Sequence, residues 1–87
     1  MTTTQTFTSQ VVSILAADGW APRWAACTNS VKDTYGNAVT IHDRGETVQV
    51  EFEYALAGLV ETMHLDPAPG AHRVAVVVDA LAAAPVG

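Results

Sequence analysis

Glu51 and Glu53 stand two residues apart in the segment TVQVEFEY (47–54), where Val48, Val50, Phe52 and Tyr54 alternate with Thr47, Gln49, Glu51 and Glu53. An extended chain sends successive side chains to opposite faces, so the two carboxylates share one face of a strand, roughly 6–7 Å apart. Carboxylates near that spacing hydrolyse glycosides when an aromatic-lined cleft holds the sugar between them. Six aromatic residues in a chain of 87 leave little material for such a cleft. Two readings remain: the wet side of a half-covered sheet, or an acidic docking face.

The histidines offer metal chemistry. His42 and His64 fall on strands either side of the one bearing Glu51 and Glu53, on the same face. Two imidazoles and a carboxylate hold zinc when they converge within about 2.0–2.2 Å of one point. An intervening strand sets the two histidines roughly 10 Å apart, so they are weak candidates that need a bend or a second subunit. His72, at a helix start, reads as an exposed residue. Cys27, in AACTN, reads as a small hydrophobe inside a strand. A lone cysteine excludes an intramolecular disulfide, a CxxC centre and a zinc knuckle. Ser9, Ser13 and Ser30 sit in no nucleophile elbow, and Asp18, Asp33, Asp43 and Asp66 occupy cap or turn positions. DRG and YGN are turn chemistry rather than a phosphate loop. These patterns point to a protein that is not an enzyme and carries no cofactor.

Charge narrows the partners. The net charge is −5, with four lysines and arginines in all. Displacing counterions from nucleic-acid phosphates takes several clustered cations, and an anionic membrane surface makes the same demand, so neither partner is expected. An acidic surface suits a basic protein. The opening MTTTQTFTSQ lacks the basic and apolar regions of a secretory signal, and no apolar run reaches the ~18 residues that span a bilayer. The default location is cytoplasmic.

Alternation and helical spacing place the elements. Residues 1–6 read as a flexible tail ahead of a single domain over 7–87. In FTSQVVSILAADGW, Thr8 is the N-cap candidate, Phe7 and Val12 form a hydrophobic staple, and Val11, Val12, Ile14, Leu15 and Ala16 make a broad apolar stripe. Gly19 is placed to end this helix in the left-handed conformation, with Trp20 folding back onto Leu15. Residues 24–30 read as a strand of poor alternation, DTYGN as a turn, AVTIH as a strand, DRGE as a hairpin connection into TVQVEFEY, and LVETMHL as the fourth strand. In DPAPGAHRVAVVVDALAAAPVG, Asp66 and Pro67 read as N-cap and first helical residue. The β-branched run RVAVVV also suits a fifth strand, but the alanine-rich continuation favours helix. The fold class is therefore α+β in the order α-β-β-β-β-α, an antiparallel meander sheet with two helices packed on one face.

The stretch VVSILAADGWAPRW, residues 11–24, resembles the start of HicA-type mRNA-cleaving toxins, which run α-β-β-β-α. That family's functional feature is a histidine following a Gly-Ser pair between the first strands. Residues 25–41 contain no histidine, so no functional residue carries over.

The expectation is a small acidic protein-binding module. Glu51, Glu53, Thr40 and Thr62 would face a basic partner, with Trp20 or Trp24 as the apolar anchor. A stripe of Val76, Ala80 and Ala83 on the far side of the last helix would permit a homodimer. The alternative is a small metal- or ligand-binding domain using His42, His64 and the nearby glutamates.

Overall fold

The computed structural model describes residues 6–25, 27–55 and 58–83. Helix α1 (Phe7–Ala17) is followed by strands β1 (Ala21–Pro22), β2 (Ser30–Lys32), β3 (Ala38–Asp43), β4 (Val48–Tyr54) and β5 (Leu59–Leu65), and then by α2 (Ala71–Ala83). The five strands form one sheet in chain order, every neighbouring pair antiparallel. This is the expected meander between two helices. The segment read as one strand over 24–30 is not one: β1 ends ahead of it at Pro22, only Ser30 within it belongs to a strand (β2), and a turn there is closed by Cys27 N–H donating to Trp24 O at 3.1 Å. Cys27 accordingly lies in that turn, half-buried, and not inside a strand.

Helix α1 is capped by Thr6, not Thr8: the Thr6 hydroxyl accepts from Ser9 N–H at 3.0 Å. Starting one residue past Thr6 brings Phe7 onto the stripe with Val11, Ile14 and Leu15, and Phe7 then packs against the core. Residues 1–5 of the expected tail lie outside the described residues. The far end of α1 closes as anticipated. Gly19 sits at φ +105°, Gly19 N–H donates to Ala16 O at 3.2 Å, and Trp20 N–H donates to Leu15 O at 3.0 Å. This paired closure turns the Trp20 side chain back into the core.

Helix α2 begins at Ala71 rather than Pro67. Pro69 disfavours the helical conformation at Ala68, so a helix started at Pro67 cannot continue. Asp66 caps a turn instead, accepting from Ala68 N–H at 2.9 Å, and Gly70, at φ +105°, redirects the chain into α2. The alanine-rich run and PVG in sequence place the end of this helix near Pro85 and Gly87, and residues 84–87 lie outside the described residues.

Val48, Val50, Phe52 and Tyr54 face the helices, and β4 is buried at every second residue. They form one core with Val11 and Leu15 of α1, Val31, Val39 and Ile41 of β2 and β3, and Ala71, Val74, Ala75 and Val78 of α2. Both helices therefore cover the same face, and among the described residues no helix lies on the opposite face of the sheet. Among the described residues, no helix is long and apolar enough to cross a membrane.

Candidate functional site

Strand register builds the uncovered face as three rows. Thr40, Glu51 and Thr62 are directly paired across β3, β4 and β5; Ala38, Glu53 and Val60 form the row on one side, and His42, Gln49 and His64 the row on the other. The sequence-predicted residues Thr40, Glu51, Glu53 and Thr62 are thus contiguous, with Glu51 at the centre. They share a face because each sits at the same parity as Glu51 along strands that pair without a bulge.

Neither carboxylate is idle. Glu51 Oε1 accepts from Gln49 Nε2 at 3.0 Å and lies 3.6 Å from His42 Nε2. Glu53 Oε2 pairs with Arg23 Nη2 at 2.9 Å, both side chains well exposed. Arg23 N–H continues the β1–β2 pairing by donating to Ser30 O at 3.0 Å, so the guanidinium reaches over β2 and β3 to β4. Ser30 and Ala38 lie between the two ends of that reach and are buried, and the Ser30 and Thr40 hydroxyls are hydrogen-bonded at 2.9 Å. Arg23 was not anticipated from the sequence. Its role depends on a contact across thirty residues, visible only once β1 is known to lie three strands from β4.

The two histidines occupy the ends of one row with Gln49 between them, as the strand count implied. Among the described residues, no group of three His, Cys, Asp or Glu side chains is arranged to hold a metal ion. His72 is exposed in the first turn of α2. Cys27 Sγ meets Asn29 Oδ1 at 3.8 Å. Asp33, Asp43 and Asp66 accept from the backbone N–H groups of Tyr35, Gly45 and Ala68, each at 2.9 Å, so these carboxylates serve their turns. A groove of about 770 Å³ runs between the start of α1 and the end of β3, lined by Thr8, Ser9, Thr28, His42 and Arg44 among others. Another of about 390 Å³ lies beside Trp20, Tyr35 and Asp79. Neither includes Glu51 or Glu53.

The tryptophans divide. Trp24, in the turn after Arg23, is 59 % exposed, whereas Trp20 is 6 % exposed and belongs to the core. Trp20 meets Phe52 edge to face, with ring centroids 6.3 Å apart, and its Nε1–H donates to Asp79 Oδ1 at 3.0 Å. It thus ties the end of α1 to α2, and of the two only Trp24 is open to a partner. The stripe of Val76, Ala80 and Ala83 lies on the exposed side of α2.

Asp79 carries a pH dependence that the sequence does not reveal. Partial burial, and then the Asp18 carboxyl beside it, hold Asp79 above its ordinary pKa, while the Trp20 indole acts in the opposite direction. A carboxyl raised on folding binds its proton more tightly in the native state. Its stabilising contribution is therefore complete below the unfolded pKa of about 3.9 and is lost as pH rises through the native value. Asp79→Asn keeps an oxygen for the indole and removes the charge. Thermal melts across pH should show the variant above the wild type at pH 7, with the difference closing as pH falls through the acid range.

Tyr54 donates its phenol to Glu61 Oε2 at 2.9 Å on the helix-covered face. Burial first, and that carboxylate second, raise its pKa and keep the phenol a donor.

Compared with protein-family models, with curated proteins and with solved structures, the chain matches none.

Proposed function

We propose that the protein is a non-enzymatic docking module that binds a basic protein partner through the uncovered face of its sheet. The observation behind this reading is the contiguous patch of Thr40, Glu51, Glu53 and Thr62, opposite the face that both helices cover. Glu51 and Glu53 supply the ionic contacts and Trp24 the apolar anchor. Arg23 holds Glu53 at 2.9 Å in the manner a partner's guanidinium would, so docking exchanges an internal ion pair for an external one. Exposed pairs of this kind contribute about 0.2–1 kcal/mol, which makes such an exchange inexpensive. The chain's net charge of −5 adds long-range attraction for a basic partner.

Carbodiimide labelling of carboxylates tests this reading on the complex captured from a native lysate. Glu51 and Glu53 should be protected relative to the free protein, while the exposed Glu46 and Asp66 in their turns label as before. Equal labelling of all four in complex and free protein would count against the sheet face as the contact.

A further inference from the structure

The two edges of the sheet differ sharply. At one end β1 is two residues long and contains Pro22, which has no N–H to donate. At the other end β5 is seven residues long, pairs on one side with β4 along its whole length, and contains neither proline nor lysine. Natural edge strands are ordinarily shortened, charged or bulged to prevent pairing with another chain. Strand β1 is protected in that way and β5 is not.

The side chains of β5 point the same way. Leu59 shares the helix-covered face with Tyr54 yet is 50 % exposed, and Met63 and Leu65 on that face are only partly buried against the core. The core thus extends to the edge and stops uncovered. Val60, on the opposite face, is 55 % exposed. In a chain of net charge −5 this strand holds a single carboxylate, Glu61, already engaged by the Tyr54 phenol.

We infer that β5 pairs with β5 of a second copy of this chain, antiparallel about a two-fold axis through Thr62, extending the sheet continuously across two protomers. A two-fold axis normal to the sheet keeps each side chain on its own face, so only registers that centre on a single residue are allowed. Centring on Thr62 pairs all seven residues, setting Leu59 against Leu65 and Glu61 against Met63 of the other copy. Centring on Glu61 would oppose two like charges directly, which is destabilising. The helix-side row of Leu59, Met63 and Leu65 then meets its own image and closes the core that each protomer leaves open. Strand β1 is too short to accept β5, so head-to-tail growth is blocked and the assembly ends at a dimer.

Light-scattering mass at micromolar concentration should read twice the 9.1 kDa of the chain. Leu59→Lys should return it to monomer with its circular dichroism unchanged. In a Cys27→Ser background, Thr62→Cys should link two copies through a short bis-maleimide. Leu59→Cys should not, because its counterpart lies six residues along the pair, roughly 20 Å away. Raising salt should favour this dimer by screening two like-charged chains, the reverse of its effect on docking to a basic partner. The two readings therefore fail separately. A monomeric wild type, or a dimer that survives Leu59→Lys and links through Val76→Cys on α2 instead, would overturn the pairing.

Discussion

Phe52→Ala lowers the stability of the domain by about 3–5 kcal/mol, the range for removing a large aromatic side chain from a core. Phe52 has no exposed surface and sits at the centre of β4. Its ring meets Trp20 edge to face and lies 4.7 Å from Tyr54, tilted by 52°. The neighbouring core residues are chiefly valines, stiff at χ1 and too short to close over the void. Native domains hold only about 5–15 kcal/mol in all, and one this small is expected near the lower end. A loss of that size removes most of the margin. Urea denaturation of the variant should show a midpoint far below the wild type's, and a fall of under about 1 kcal/mol would mean that the valine layer alone suffices.

On the proposed docking role, Glu51→Lys combined with Glu53→Lys should abolish partner capture while the fold persists. The Arg23–Glu53 pair and the Gln49–Glu51 hydrogen bond are lost, both at exposed or half-exposed positions. Such contacts are each worth about 0.2–1 kcal/mol at most, against the several kcal/mol at stake at Phe52. For a domain of this length each 1 kcal/mol moves the melting midpoint by about 4–8 °C, so losing both contacts should lower it by no more than about 8–16 °C. The effect on binding is much larger, because the reversal places two cations where a basic partner's own cations must dock, and like-charge juxtaposition costs several kcal/mol. Capture and melting of the same preparation separate the two effects. Undiminished capture by a folded double variant would remove these glutamates from the interface.

How far the fold is legible in the sequence varies by element. TVQVEFEY alternates without interruption, so both the strand and its buried side follow directly, and β5 follows from the short connection at 55–58. Gly19 announces the end of α1, because only a residue free to adopt positive φ closes a helix that way. Local ambiguity defeats the reading elsewhere. Thr6 and Thr8 are equally good caps in isolation, and the choice is made by where Phe7 packs. Asp66-Pro67 has the composition of a helix start, but Pro69 and Gly70 override it two residues later. The same division holds at the site. Thr40, Glu51, Glu53 and Thr62 share a face by parity, which sequence supplies. Arg23 over Glu53, Glu61 under Tyr54 and Asp79 against Trp20 are contacts between distant segments, which parity alone does not place.

Affinity capture from a native lysate at two ionic strengths separates an acidic docking face from a merely solvated one. Exposed charges act over about 30 Å at 0.01 M salt and about 10 Å at 0.1 M, so an acidic docking face should retain its basic partner at the lower strength and release it at the higher. Release is expected for the wild type, with no retention at either strength for the chain with Glu51 and Glu53 replaced by lysine. Retention that is indifferent to salt and equal in the two proteins would contradict it, as would the absence of any retained protein. The face bearing Glu51 and Glu53 would then be only the solvated side of the sheet.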